Sequence, residues 1–272
     1  MINIFNNYST TISNLIFTYT ILTIVKALIF KLSHTSIIFT NQFSNSIVKM
    51  NLDNIEWLEN KQPVSFEEAV AFMENRVAQI SAGTAPQLIW LVEHPPLYTA
   101  GISARDEDLL HKTNIPIYKT NRGGKYTYHG PGMKIIYVML DLKKIFAPQQ
   151  PDIAAFVEFL ENWVISFLQE FGVKGEIKKG RVGIWVEEAV GLNGIRQEEK
   201  IAAIGIKVKK WVSYHGIAIN INPDLAAFNN IVPCGIKDFG VTSLEKLGKL
   251  KSSSNIDVNA LLKKTFLNFS KR

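Results

Sequence analysis

Two stretches of the chain carry residue types that could do covalent chemistry. Cys234 lies in NNIVPCGIKDFG and is the only cysteine present, so no intramolecular disulfide can form. A solitary cysteine is either a small buried hydrophobe or a nucleophile. Pro233 and Gly235 bracket it and predict a turn rather than a strand interior. A turn can present a thiol to a cavity. The second stretch, RGGKYTYHGPG at Arg122–Gly132, holds four glycines and a proline in eleven residues. Glycine lets a ligand approach the main chain closely, and Arg122, Thr127, Tyr128 and His129 place polar groups between the glycines. An ordinary tight-turn loop is the plainer alternative.

Three further segments join these two in a fixed order: LVEHPPLYTAG at Leu91–Gly101, KIAAIG at Lys200–Gly205 and HGIAIN at His215–Asn220. Together the five resemble the lipoyl(octanoyl) transferase family, from about Met50 to the C-terminus. That resemblance implies an α+β fold, a mixed β-sheet flanked by helices, as in the biotin and lipoate ligases. It implies an enzyme that moves an octanoyl group from acyl carrier protein to a lysine of lipoate-dependent proteins, namely the lipoyl domains of 2-oxoacid dehydrogenases and the glycine cleavage H protein. Cys234 and Lys200 are then the catalytic pair. Substrate binding falls to Arg122, Gly123, Gly124, Lys125, Tyr126, Thr127, Tyr128 and His129, to Ala203, Ile204 and Gly205, and to Gly216, Ile217 and Ala218. No cofactor and no metal are implied, and the setting is cytoplasmic. The chain departs from the family pattern at Met133, where glutamine is usual, and at Val138, where proline commonly follows the strand tyrosine.

The chemistry of that pair is feasible. A free thiol has a pKa of about 8.5, and lowering it to near 7 needs about 2 kcal/mol of extra thiolate stabilisation. A lysine ammonium about 4 Å away supplies on the order of 4 kcal/mol at an effective dielectric of 20. By sequence alone Lys200 equally belongs to a solvated charge run with Glu198 and Glu199. Lys200 would act as acid and base in two acyl transfers, thioester to thioester and then thioester to amide. Backbone amides near Cys234 or in the glycine loop would meet the oxyanion. Ala203, Gly205, Gly216 and Ala218 are small residues at alternate positions on two expected strands, which puts them on one face if the strands connect through Lys209-Lys210. They suit either an acyl slot or close sheet–helix packing. Burying about six methylenes of an octanoyl tail would contribute about 5 kcal/mol. His129 and His215 read as site-shaping rather than as bases. The five histidines and one cysteine show no metal-ligand spacing.

The elements that must position these residues are legible in part. Ser65-Phe66-Glu67-Glu68 is a capping box opening a helix to about Ile80, which Ser81-Ala82-Gly83 ends. Asp152 caps a second helix whose apolar residues Phe156, Leu160, Val164, Phe167 and Phe171 form one face, with Gly172 after its end. Asp257–Phe269 is a third. Leu88–Glu93, Ile117–Thr120, Lys134–Leu142, Val182–Glu187, Ile201–Val208 and Val212–Ile221 read as strands. Strict βα alternation is missing, which points to α+β.

Composition bounds the rest. Of 272 residues, 47% are hydrophobic and 20% charged, as in ordinary globular proteins. Residues 1–49 have three lysines and no acidic residue, leaving +3 of the net +6 for the remainder. A mildly basic surface suits an acidic carrier protein or reflects scattered lysines. No basic cluster with interleaved aromatics suggests nucleic acid. Ile16–Leu32 is interrupted by Lys26, too broken for a membrane span. No lysine or arginine precedes the short apolar run Asn14–Val25 and no cleavage site follows it, against a signal peptide. Residues 1–49 are therefore expected outside the catalytic domain, 50–272, as an upstream extension of the frame. Two rivals remain open: an ATP-dependent lipoate or biotin ligase on the same fold, and a non-catalytic module that binds lipoyl domains. The ligase needs no cysteine, and no GxxxxGK[ST] phosphate loop is present.

Overall fold

A computed structural model describes residues 50–52, 54–187, 198–232, 239–250 and 256–269. The expectations for residues 1–49 and for Pro233, Cys234 and Gly235 lie outside the described residues. In chain order the elements are β1 (Ile55–Glu59), α1 (Phe66–Ala82), β2 (Gln87–Val92), β3 (Leu97–Ala100), β4 (Ile117–Lys119), β5 (Tyr126–His129), β6 (Met133–Met139), α2 (Leu142–Phe146), α3 (Ile153–Gln169), β7 (Glu176–Lys178), β8 (Arg181–Glu187), β9 (Glu198–Lys209), β10 (Val212–Asn220), β11 (Gly240–Val241) and α4 (Val258–Phe269).

The capping chemistry works as the residue types dictate. The Glu68 amide donates to Ser65 Oγ and the Ser65 amide to Glu68 Oε2, both at 3.3 Å, and Gly83 closes α1 with φ +73°. Asp152 Oδ1 accepts from the amides of Ala154 and Ala155 at 2.8 and 3.0 Å, fixing the start of α3. Asp257 Oδ1 does the same for α4 through Ala260.

The large sheet runs β1-β2-β6-β10-β9-β8-β7, with β11 added beside β9. β1–β2 and β9–β11 pair parallel and the other pairs antiparallel. A small sheet, β4-β3-β5, stands beside it. The architecture is α+β with a mixed sheet flanked by helices. Period-two alternation sends successive side chains to opposite faces. Ile89, Leu91, Ile136, Val138, Ile217 and Ile219 face α3 and α4, where they meet Leu160, Trp163, Phe167 and Phe266. Leu88, Trp90, Val92, Ile135, Tyr137 and Ala218 face the other way, toward Met73, Val77 and Ile80 of α1. Burying each of those three side chains contributes about 2 kcal/mol.

β1, β3, β7 and β11 are absent from the sequence reading, and four of its expectations change. Tyr126–His129, expected as loop, forms β5 and pairs with β3; its aromatic and β-branched residues favour a strand, but the flanking glycines dominate the pattern. The expected strand Lys134–Leu142 stops at Met139 because the side chain of Asp141 accepts from the Lys143 amide and starts α2. Strand β9 begins at Glu198, so Lys200 lies within it and not at its mouth. The β9–β10 turn is Lys210-Trp211, one residue later than expected, with φ +51° and +66°, as a two-residue hairpin of this hand requires. Among the described residues no helix is long and apolar enough to cross a membrane.

Candidate active site

A cavity of about 180 Å³ lies on the α1 face of the sheet, walled by β5, the Arg122–Lys125 loop and the β9–β10 pair. The later turn sets the register there: Gly205 stands opposite Gly216 and Ala203 opposite Ala218. All four line the cavity, with Ile204 and Ile217 between them. A Cβ on Gly205 would come within 3.0 Å of the Gly123 carbonyl oxygen. One on Gly216 would run into the Ile136 carbonyl. Small residues are thus required both by neighbouring backbone and by the open groove.

Lys200 reaches this cavity through an irregularity. Strict alternation from Ala203 and Gly205 would turn it to the opposite face. Ile184 pairs with Ala202, but Trp185 pairs with Lys200, so Ile201 is an extra residue on β9, a β-bulge. Bulges re-aim side chains, and here Ile201 enters the core while Lys200 joins the cavity wall. The lysine is buried. Its Nζ donates to the Val182 carbonyl at 2.8 Å and lies 4.7 Å from the Trp185 ring centroid, a cation–π contact. On its other side Val241 of β11 pairs with it.

Arg122 is buried and holds the glycine loop to β3. Its Nη2 donates to the Thr99 carbonyl and to the Lys125 carbonyl, each at 2.8 Å, and to Thr99 Oγ1 at 2.6 Å; Nη1 donates to the Gly123 carbonyl at 2.9 Å. Gly124, at φ +86°, supplies the left-handed step this loop needs. The Gly123 amide donates to the Ile206 carbonyl at 3.1 Å, tying the loop to β9. Arg122, Gly124, Lys125, Tyr126, Thr127 and His129 line the cavity. Gly123 and Tyr128 are not among its lining residues: Gly123 faces the Ile206 carbonyl, and the Tyr128 ring packs on Tyr98 and Phe228. Alternation along β5 puts Thr127 and His129 on the face opposite Tyr128; Tyr126, the first residue of the strand and next to the glycine loop, lines the cavity as well.

Three histidines gather at one end. His94 Nδ1 lies 2.6 Å from the Val64 carbonyl and Nε2 lies 2.6 Å from the Tyr137 hydroxyl. A carbonyl only accepts, so Nδ1 carries the proton and Nε2 accepts from Tyr137. Burial lowers the pKa of His94. Burial, followed by the Arg122 and Lys207 charges, pulls His215 down to about 4. His215 itself sits at φ +57°. His129 is lowered well below its ordinary range by burial, then by His94, Arg122 and His215. Its Nδ1 is buried with no hydrogen-bond partner among the described residues. Burial raises the Tyr137 phenol, so it stays protonated. The cavity end is thus a set of neutral hydrogen-bonding groups. No group of ligands suited to a metal occurs among the described residues.

The sequence reading missed Thr99, Tyr137, Val182 and Trp185. Thr99 sat within the Leu91–Gly101 segment, and Tyr137 in an expected strand, so their neighbourhoods were flagged but not their roles. Nothing in the sequence signals that the Val182 carbonyl would face a lysine. Cys234 lies outside the described residues.

Comparison with known proteins gives a consistent picture. The family described as lipoyl protein ligase A/B catalytic domain matches residues 65–268. An octanoyltransferase of Parvibaculum lavamentivorans is 51% identical over 215 residues, covering 79% of this chain and 92% of that protein. An octanoyltransferase of Brucella melitensis is 53% identical over 207 residues, covering 75% and 77%. A bi-partite lipoate protein ligase from Thermoplasma acidophilum, solved with its E2 lipoyl domain, shares the fold with TM-score 0.54 at 13% identity, covering 81% of this chain and 84% of that one.

Proposed function

The chain belongs to the octanoyltransferases of the lipoyl protein ligase A/B catalytic-domain family, and we propose that it carries the octanoyl group on Cys234 with Lys200 as proton donor and acceptor. The Cys234 thiolate adds to the thioester carbonyl of octanoyl-acyl carrier protein. Collapse breaks the carbon–sulfur bond to the carrier, whose thiolate takes a proton from the Lys200 ammonium. The amine of an acceptor lysine then attacks the acyl-Cys234 thioester and gives its proton to Lys200. A carbon–nitrogen bond forms, the bond to Cys234 breaks, and thiolate and ammonium are restored. The amide product is more stable than a thioester, so no ATP enters. Acceptors are lipoyl domains of 2-oxoacid dehydrogenases and the glycine cleavage H protein, and the cytoplasm, where thiols stay reduced, is the setting. Residues 50–272 form the catalytic domain in this reading, with 1–49 outside it.

The observation that carries the reading is Lys200, turned by the Ile201 bulge into a cavity walled by Ala203, Gly205, Gly216 and Ala218. Val241, which pairs with Lys200, lies only seven residues beyond Cys234 in the sequence, a separation that supports the pairing of thiol and lysine in this reading. The groove suits an aliphatic chain, and the buried His129 Nδ1 and the glycine loop suit its polar end. Intact-mass analysis after incubation with octanoyl-carrier protein and no ATP should show one octanoyl group on the wild-type chain and none on Cys234→Ser. Lys200→Ala should lower turnover on the order of a thousandfold. Strict dependence on ATP, or an adduct that persists in Cys234→Ser, would overturn the proposal.

A further inference from the structure

We infer that Glu161, on the far side of the sheet from the cavity, is a positioning residue that acts on Lys200 through the single peptide group joining Val182 to Gly183. This rests on the role proposed for Lys200. The Gly183 N–H donates to Glu161 Oε1 at 2.9 Å, and the Val182 carbonyl accepts from Lys200 Nζ at 2.8 Å. Both groups belong to one amide. A carboxylate on its N–H end polarises the amide and strengthens the carbonyl as an acceptor for an ammonium, since hydrogen bonds in series reinforce one another, and those with charged ends are stronger.

The backbone is shaped for this contact. Gly183 has φ +114°, and a Cβ there would come within 2.5 Å of the Ala202 carbonyl and 3.2 Å of Lys200 Nζ. Only glycine permits the turn of the peptide that aims its two ends at α3 and at the cavity. Glu161 is itself buried, at 5% exposure, in a helix whose other buried side chains are all apolar or aromatic. A buried carboxylate is retained where it has partners. Burial raises the pKa of Glu161; its bond from Gly183 and the charge of Lys200 pull it back.

Other charges near Lys200 are engaged with partners of their own. On β9, Glu198 pairs with Lys178 and Arg181, and Glu199 with Lys246. From the cavity side, Lys125 pairs with Asp108 and Arg122 with the loop carbonyls. His129 and His215 stay neutral, and Glu158 on α3 adds a like charge to Glu161.

Glu161→Gln keeps an acceptor for Gly183 but removes the charge. Its kcat should fall about five- to tenfold, the kinetic equivalent of trading a charge-assisted hydrogen bond for a neutral one. KM should stay unchanged, because Glu161 does not line the cavity. The limb of the kcat–pH profile that is missing from Lys200→Ala should move to lower pH, because the ammonium has lost a favourable charge. A variant with lowered thermal stability and an unshifted profile would reduce Glu161 to a structural role and overturn the inference. Should Glu161→Gln not fold, NMR of the Glu161 carboxyl decides: its titration midpoint should rise in Lys200→Ala, and an unmoved midpoint overturns the inference. If instead Lys200→Ala leaves turnover intact, it is the catalytic role of Lys200 that fails.

Discussion

On the α3–α4 face of the large sheet, side chains meet almost wholly apolar partners, and rings stack edge to face: Trp57, Trp163 and Phe266 lie with centroids 4.9 to 6.1 Å apart. On the α1 face lie His94, Thr99, Arg122, His129 and His215, all buried, around an open groove; of these only His215 sits on a strand of the large sheet, and Thr99 and His129 come from the small one. The first face gains from burying apolar surface, which is non-directional and tolerant of sequence. The second needs each polar group to find its partner, which costs stability when any partner is lost. One sheet thus packs an apolar core on both faces and, on one of them, borders the groove proposed to hold the chemistry.

The largest expected effect breaks the first face and spares the second. Phe266 is 1% exposed and touches Trp57, Phe159 and Trp163. Phe266→Ala should lower unfolding free energy by about 4 kcal/mol, a transfer plus a cavity contribution. Denaturant melts check the loss. Turnover per folded molecule at low temperature should stay near wild type, because the rings it stacks on, Trp57, Phe159 and Trp163, do not line the cavity. A parallel fall in kcat would mean the two faces are coupled more tightly than their packing suggests.

Acid should break the second face first. The folded state holds His215 at about 4, against about 6.5 for an unstructured histidine. As pH falls from about 6.5 the unfolded chain binds a proton that the folded chain does not, so stability is present above that pH and is lost toward pH 4. For His215 alone the loss by pH 4 is about 3 kcal/mol, and His94 and His129, both lowered, add in the same direction. Urea melts at pH 7, 6, 5 and 4 should show this slope, and His215→Asn should flatten it. An unchanged slope in that variant would place the acid sensitivity elsewhere.

The same division governs what the sequence discloses. Ser65 and Asp152 declare helix starts by local capping, and the apolar period of α3 shows its buried face, because those signals are contained within a few residues. The groove of Ala203, Gly205, Gly216 and Ala218 was legible as small residues in alternation, though its register waited on a turn whose φ values no residue type dictates. Lys200 was legible only through its resemblance to a family motif. Periodicity would have turned it away, because the bulge at Ile201 depends on pairing with β8, a partner distant in sequence. Arg122 stood out by type. Its engagement with Thr99 depends on β3 folding alongside, a pairing partner distant in sequence.

The smallest expected effects sharpen the contrast most directly, because they differ by one methyl group on one strand. Ala202 and Gly205 both lie on β9. Ala202 is buried in the α3–α4 core, whereas Gly205 lines the groove. Ala202→Gly removes a packed methyl and loosens a strand interior, lowering stability by about 1 kcal/mol with kcat and KM unchanged. Gly205→Ala adds a methyl 3.0 Å from the Gly123 carbonyl, so the glycine loop must shift by a few tenths of an ångström and the groove narrows. KM for the octanoyl donor should rise about tenfold, the low end of an apolar pocket's response to one carbon, with little change in the melting midpoint. Both changes are read by one melt and one kinetic series. If Gly205→Ala instead lowers stability and leaves KM alone, the small residues exist for packing, and the groove is not where the acyl chain lies.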